Sequence, residues 1–295
     1  MTQHLELTPQ NIAAFMEECS LKIQESHENW HSFVNSVKFE VPPSEVPKDV
    51  KSQAYLEYQL NLWRIVSGRD SYDIDICEAN NNLKSVNSIV DTYPFVTKDR
   101  TTITNYFMGV VSIFDKIGLV PPANIVEFGV GWGHTTRFLA NCGFSVTALD
   151  IERDFLDLIP KFSLPGTPEV ALVHAAFHEG NFAANSFDAA LFYECFHHSL
   201  DHRELVSQLR SMLRSNGKIV FCAEAFYDDW FDFPWGLRLD GHSVWAIRNF
   251  GWMELGFRKS YINELLAEFD FIPEWSAVPS IGPIGEFLVA SLNKQ

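Results

Sequence analysis

Apolar residues recur at helical spacing before residue 122, and short β-branched runs replace that spacing beyond it. The helical pattern covers residues 12–19, 55–66 and 103–117, with Thr8-Pro9 expected to start the first helix and Gly118 to end the third. Candidate strands lie at 124–128, 145–149, 170–175, 188–194, 218–225, 271–278 and 287–292. Strands that alternate with helices predict a doubly wound, mostly parallel α/β sheet of seven strands. A tight connection before the last strand predicts that this strand is antiparallel.

Three glycines at alternate positions follow the first predicted strand: Gly129, Gly131 and Gly133. Glycine tolerates a positive φ and lets backbone come close to a ligand. The opening N–H groups of the helix that follows favour an anionic or polar ligand group. The next strand ends at Asp150, and an acid there can accept hydrogen bonds from both hydroxyls of a ribose. The segment therefore predicts a pocket for an adenosine-containing cofactor.

The spacing of the glycines distinguishes between adenosine cofactors. A dinucleotide fingerprint reads G-x-G-x-x-G, and its third glycine would fall at His134. The chain reads E-F-G-V-G-W-G instead, with Glu127 two residues before the first glycine. This resembles the first motif of class I S-adenosylmethionine-dependent methyltransferases. Its combination with W-G-L-R-L-D-G at residues 235–241 resembles bacterial methyltransferases of small molecules or glycans. From the residues alone, the alternative is a tight turn in another nucleotide-binding sheet.

The resemblance implies the Rossmann-like class I methyltransferase fold over residues 101–295, preceded by an N-terminal helical region, residues 1–100, that packs on or caps it. It also implies S-adenosylmethionine as cofactor. The residues that match the family's cofactor site are Glu127, Gly129, Gly131, Gly133, Thr135, Asp150, Ile151, Ala176, Phe177 and Tyr193. Glu127 would face the methionine end, and Thr135 or Thr136 would donate a hydroxyl or complete the first helical turn. Ala176 replaces an acid that relatives often use for adenine, which leaves adenine to backbone groups and to Phe177.

The segment NSFDAALFYECFHHSLDH, residues 185–202, resembles the family's fourth strand and the leucine-x-histidine element that follows it. Histidine and carboxylate side chains cluster at His197, His198, Asp201 and His202. A neutral histidine can remove the proton of a hydroxyl acceptor, and His198, oriented by Asp201, is the predicted base, with His197 its neighbour. A metal-dependent hydrolase is an alternative, but Ser199 stands where H-x-H-x-D-H needs a histidine, so no metal is expected. For His202, a helix cap is the favoured interpretation.

An aromatic segment, residues 226–257, contains four of the eight tryptophans. A long structureless loop in a compact domain is usually functional, so this segment is predicted to form a substrate lid. The candidate substrate residues are Trp235, Arg238, His242 and Trp245. The alternative is that the tryptophans pack the insertion onto the rest of the chain.

Composition narrows the range of expected partners and cellular locations. The net charge of −16 repels phosphate backbones, so no nucleic acid is expected as a partner. Five scattered cysteines without a C-x-x-C pair, and no visible signal peptide, suggest a cytoplasmic setting. No apolar run approaches the length of a membrane span, so no membrane is expected as a partner either. The expected function is methyl transfer to a hydroxyl of a small-molecule or glycan acceptor, and the alternative is a non-catalytic cofactor-binding module of the same fold.

Overall fold

The computed structural model describes residues 5–40, 46–79, 86–228, 233–278 and 286–293. By their internal contacts these residues form two compact units. The sheet unit comprises residues 81–230 and 258–295, and the helical unit comprises residues 1–80 and 231–257. Most of the predicted lid segment therefore groups with the N-terminal residues, and the predicted boundary at residue 100 stays a prediction.

The sheet unit is built on seven strands. They are β1 Asn124–Phe128, β2 Ser145–Asp150, β3 Ala171–His174, β4 Phe187–Tyr193, β5 Leu213–Cys222, β6 Phe271–Ala277 and β7 Glu286–Leu292. Their order is β6-β7-β5-β4-β1-β2-β3. The five strands β1 to β5 are parallel to one another, whereas β7 is antiparallel to both β5 and β6. The predicted fold is confirmed, including the direction of the last strand.

In the described part of the sheet unit, five helices flank this sheet. They are α1 Arg100–Ile117, α2 His134–Asn141, α3 Arg153–Phe162, α4 His202–Met212 and α5 Lys259–Glu268. Short 3-10 turns occupy Ile89–Asp91, Phe95–Thr97, Phe177–Glu179 and Phe196–His198, and a two-residue strand occupies Phe226–Tyr227. The α1 helix ends at Gly118, which has a φ of 60°, as predicted from its position. Its buried Ile113 and Ile117 join the core formed by Ile125, Leu191 and Val220 of the sheet.

Within the residues that the structure describes, the helical unit carries five helices and four short strands. The helices are Ile12–Glu25, His27–Val34, Gln53–Ser67, Ile74–Cys77 and Gly241–Phe250, and the strands are Leu5–Leu7, Val37–Phe39, Trp235–Leu237 and Leu255–Arg258. The first helix does not begin at Thr8-Pro9, so that prediction was wrong. The backbone N–H of Thr8 donates to the side chain of Asn11 at 2.6 Å, which closes a turn and delays the helix.

The segment 226–257 contains regular structure, which contradicts the expectation of a structureless loop. Asp240 accepts from the backbone N–H of Ser243 at 3.0 Å and begins the helix Gly241–Phe250. A Cβ on Gly241 would come within 2.3 Å of the carbonyl oxygen of Val34, so this helix packs closely on the helix His27–Val34. Trp230 and Asp232 lie outside the described residues. Among the helices that the structure describes, none combines the length and apolarity that crossing a bilayer requires.

Candidate cofactor and catalytic site

The glycine loop after β1 has three residues in the left-handed region. The φ angles of Gly129, Gly131 and Gly133 are 61°, 47° and 68°. A Cβ on Gly129 would lie 2.8 Å from Cβ of Cys195, and one on Gly133 would lie 2.8 Å from Ile159. A Cβ on Gly131 would meet nothing within 4 Å. The outer glycines are therefore required by packing, whereas Gly131 faces open space that a ligand can approach.

The carboxylate of Asp150 lies beside this open position, at the end of β2. It is buried, and its two oxygens accept from the backbone N–H of Gly131 at 3.0 Å and of Glu152 at 2.8 Å. Burial raises its pKa to about 6, although the two backbone hydrogen bonds act in the opposite direction. The predicted ribose ligand and the predicted glycine loop are thus in direct contact.

Glu127 is buried near the end of β1 and bonds to α2. Its carboxylate accepts from Oγ1 of Thr136 at 2.6 Å. Burial raises its pKa to about 8, against the lowering effects of the Thr136 hydrogen bond and of the positive charge on Arg137. The Thr136 hydroxyl therefore serves Glu127, while Thr135 is buried in the first turn of α2. A carboxylate in this position suits a cationic ligand group, because such a group would offset the cost of its burial.

His134, which occupies the place of the third dinucleotide glycine, is the first residue of α2. Its Nε2 lies 3.0 Å from the carbonyl oxygen of Tyr93 and 3.1 Å from Oγ1 of Thr92, and its Nδ1 lies 3.1 Å from Nη2 of Arg137. Burial, followed by the charge of Arg137, lowers the pKa of His134 to about 4. A neutral His134 therefore joins the segment before α1 to the glycine loop.

The residues predicted to surround adenine follow β2 and β3. The carbonyl oxygen of Ile151 accepts from Nε2 of His174 at 2.8 Å, and Ala176 is buried. The ring of Phe177 packs edge-to-face on Phe128 and Phe192, with centroid distances of 5.9 and 6.0 Å. Phe177 thus contributes to the aromatic core, and its stacking on adenine stays a prediction.

Tyr193 ends β4 and is held by α1. Its ring stacks on that of Tyr106 at 5.2 Å, and its hydroxyl donates to the carbonyl oxygen of Tyr106 at 2.9 Å. Gly109 makes this possible, since a Cβ there would come within 2.3 Å of the Tyr193 hydroxyl oxygen. Because the side chain is committed to α1, the backbone carbonyl of Tyr193 is the group that stays a predicted cofactor contact.

The carboxyl ends of β4 and β5 are held together by unusual backbone. Glu194 and Ala223 have φ angles of 53° and 56°, and the backbone N–H of Glu194 donates to the carbonyl oxygen of Cys222 at 3.1 Å. The turn at Ala223 ends β5 at Cys222, so the predicted strand end at residue 225 was wrong. Non-glycine residues in this conformation are uncommon and concentrate at functional sites.

This turn places Glu224 beneath the segment that follows β4. Its carboxylate accepts from the backbone N–H groups of Cys195 and Phe196 at 2.8 and 2.9 Å and lies 2.9 Å from Nδ1 of His197. Burial opposes ionisation, but the hydrogen bond and charge of His197 and the backbone donors lower the pKa of Glu224. Sequence reasoning missed Glu224, because one acid after a strand carries no local signal of the loop that it supports.

The other predicted catalytic residues are dispersed around this segment. His198 is half-buried in the 3-10 turn beside His197, with a centroid distance of 4.4 Å between the rings. Asp201 is exposed, and its carbonyl begins α4 by accepting from the backbone N–H of Leu205 at 3.0 Å. His202 is buried against the hydroxyl of Tyr261 at 2.7 Å, and burial lowers its pKa to about 3. His202 therefore has a structural position, whereas catalytic roles for the other three stay predictions.

All four predicted substrate residues have partners within the helical unit. Trp235 is buried and donates from Nε1 to the carbonyl oxygen of Val50 at 3.0 Å, and Arg238 pairs with Glu254. Nε2 of His242 lies 3.0 Å from Nδ1 of His31. Trp245 packs edge-to-face on Trp30 at 5.0 Å. Their contact with a substrate stays a prediction.

A family described as a methyltransferase domain matches residues 126–221, which include the glycine loop, Asp150 and the segment after β4. This part of the chain is a class I methyltransferase domain. S-adenosylmethionine is accordingly its cofactor, and the open Gly131 and the Asp150 carboxylate suit the approach and the ribose of that molecule.

Two curated proteins are similar to parts of this chain. The chain is 40% identical over 60 residues to ribosomal RNA small subunit methyltransferase A of Myxococcus xanthus, which is 20% of this chain and 21% of that protein. It is 31% identical over 111 residues to an uncharacterized methyltransferase of Bacillus cereus, which is 36% of this chain and 49% of that protein. The chain thus spans about half or less of the length of these curated relatives.

One solved structure with a similar fold is that of the Burkholderia thailandensis 1,6-didemethyltoxoflavin-N1-methyltransferase, with bound 1,6-didemethyltoxoflavin and S-adenosylhomocysteine. It is 19% identical, with a TM-score of 0.50, over 88% of this chain and 95% of that one. At this identity the similarity establishes the fold alone, and the methyl acceptor has to be inferred from the residues of the site.

Proposed function

We propose that this chain transfers a methyl group from S-adenosylmethionine to a hydroxyl of a small polar, phenolic or sugar-containing acceptor. One observation carries the proposal. The backbone N–H of Gly131 donates to the carboxylate of Asp150 at 3.0 Å, and the space beside Gly131 is open, since a Cβ there would meet no atom within 4 Å. This places a buried carboxylate and close-approach backbone at the carboxyl ends of β1 and β2, where ligands bind in open α/β sheets.

Different residues of the sheet unit bind different parts of the cofactor. Asp150 accepts the ribose hydroxyls, the loop around Gly131 allows close approach, and the buried carboxylate of Glu127 attracts the amino group of the methionine end. When bound, S-adenosylmethionine supplies a methyl group already activated by a positively charged sulfur. The protein therefore needs mainly to place the acceptor in line with that group, and placement alone can lower a barrier by roughly 7–11 kcal/mol.

A hydroxyl acceptor must also lose its proton, and the histidines after β4 favour this class of acceptor. Such a base typically contributes a factor of about 10²–10⁴ to the rate. The net charge of −16 disfavours a phosphate-rich acceptor, so a small molecule or a glycan suits this chain better than nucleic acid.

The test has two stages. Calorimetric titration with S-adenosylhomocysteine measures cofactor binding, and transfer of a labelled methyl group to a panel of phenols, sugars and amines measures turnover. We expect binding, together with transfer to hydroxyl acceptors and not to their amine counterparts. Absence of binding would overturn the proposal, transfer to amines alone would replace the hydroxyl by a nitrogen, and binding without any turnover would support a non-catalytic module.

A further inference from the structure

The carboxylate of Glu224 is wholly buried, and every contact that the structure gives it reaches the segment after β4. Its side chain has 0% exposure. One oxygen accepts from the backbone N–H groups of Cys195 and Phe196, and the other from the backbone N–H of His197 at 3.3 Å and from its Nδ1 at 2.9 Å. A carboxylate buried with four donors fixes the position of those donors.

This contact decides which nitrogen of His197 carries the proton. An ionised carboxylate only accepts hydrogen bonds, so Nδ1 must be the protonated nitrogen when His197 is neutral. Nε2 then has the lone pair, which is the form of imidazole that removes a proton. The partner on Nδ1 also stabilises the positive charge that the ring acquires when it does so.

The Glu224–His197 pair, here called the dyad, lies at the carboxyl ends of the strands, where the glycine loop also begins. The thiol of Cys195 donates to the carbonyl oxygen of Phe128 at 3.0 Å, which joins the segment after β4 to the end of β1. The left-handed residues Glu194 and Ala223 end the two strands that carry the dyad. Backbone in this conformation persists where the surrounding structure holds it in place.

We infer that His197 is the general base of the domain and that Glu224 is its positioning residue, which moves the predicted role of His198 by one residue. The inference rests on the proposed methyl transfer to a hydroxyl. The acceptor oxygen forms a new bond to carbon as the bond between that carbon and sulfur breaks, and the hydroxyl proton passes to Nε2 of His197. The sulfur product is the neutral thioether S-adenosylhomocysteine.

The first experiment measures the tautomer of His197 and needs no acceptor. Nitrogen-15 NMR of the histidine rings in the intact protein, assigned with His197→Ala, should show protonated Nδ1 and unprotonated Nε2. In Glu224→Gln the amide oxygen can still accept from Cys195 and Phe196, but its NH₂ group faces Nδ1 and donates to it, so the proton should move to Nε2. A wild type with its proton on Nε2, or an unchanged tautomer in a folded Glu224→Gln, would overturn the assignment.

Asp188→Asn is the matched control. It makes the same carboxylate-to-amide change at a residue that accepts from the backbone N–H of Asn124 at 2.8 Å and from Arg214 at 2.7 Å. Because Asp188 contacts no histidine in these bonds, the His197 tautomer should not change. A tautomer that shifted equally in both variants would attribute the effect to the sheet as a whole and overturn the role of Glu224.

The second experiment is kinetic. His197→Ala and Glu224→Gln should each lower kcat about 100-fold to 10,000-fold, with little change in the Kd of S-adenosylhomocysteine. A larger loss of kcat in His198→Ala than in His197→Ala would return the role to His198 and overturn the inference. The tautomer does not depend on methyl transfer, so a wild type without turnover but with protonated Nδ1 would count against the proposed function and leave the Glu224–His197 contact established.

Discussion

Substituting Gly131 by alanine separates a binding role from a folding role within one loop. The added Cβ meets no protein atom within 4 Å, so the cost in stability comes from the φ of 47° alone. An L-residue in the left-handed region costs about 1–2 kcal/mol relative to glycine. If the cofactor occupies the open space, the same methyl group obstructs it. Overpacking by a methyl group costs about 1–3 kcal/mol, which corresponds to a Kd raised roughly 5-fold to 150-fold.

Two other glycines calibrate this experiment. Gly166 lies in the turn after α3 with a φ of 88° and nothing within 4 Å of a Cβ, so Gly166→Ala should lose similar stability and keep its cofactor affinity. Gly129→Ala should lose more stability than either, because its Cβ would lie 2.8 Å from Cβ of Cys195. Urea unfolding measures stability, and calorimetry with S-adenosylhomocysteine measures affinity. Wild-type affinity in Gly131→Ala would show that the cofactor lies elsewhere.

Three further predictions concern the same loop. Asp150→Ala should weaken S-adenosylmethionine binding by about 1.5–3 kcal/mol in a calorimetric titration, the range for hydrogen bonds to a charged group; an unchanged Kd would refute the ribose assignment. Because the pKa of Glu127 rises from 4.5 to about 8 on folding, this residue binds more protons in the cofactor-free native state than in the unfolded state in that range, and its own contribution to stability should fall as the pH rises from 4.5 to about 8. Glu127→Gln removes this contribution, so in urea unfolding the stability of the variant should fall less, or rise more, over this range than that of the wild type, and an equal slope in both proteins would contradict the argument. Neither NAD nor NADP should bind, since His134 replaces the third glycine, and micromolar binding of either would overturn the methyltransferase assignment.

Local patterns predicted the parts of the site that lie within one strand, loop and helix. The glycines and Asp150 belong to one strand–loop–helix–strand unit, so their order along the chain nearly determines their arrangement. The partners of His134 and His197 were not predictable in this way. Thr92, Tyr93 and Glu224 reach them only through the packing of separate elements. The left-handed turn at Ala223 that positions Glu224 is also hidden, because alanine gives no sign of a positive φ.

The packing of the helix Gly241–Phe250 was also not predictable from its own sequence, for a different reason. Its aromatic composition predicted a substrate lid, but the cap at Asp240 and the packing on His27–Val34 are what order this helix. The helices that it contacts, Gln53–Ser67 and His27–Val34, belong to the first 80 residues, so no pattern confined to residues 226–257 indicates where it packs.

The position of β7 has a consequence for synthesis of the chain. Parallel strands β1 to β5 can pair as they emerge from the ribosome, but β6 pairs in this sheet only with β7, which follows it in the sequence. Until residues 286–292 arrive, β5 presents an open edge along Ile219, Val220 and Phe221, three residues that are buried in the finished sheet. An unpaired apolar edge recruits strands from other molecules. We therefore expect the nascent protein to be prone to aggregation in the interval between β5 and β7, and a protein truncated before Glu286 should aggregate more readily than the full chain.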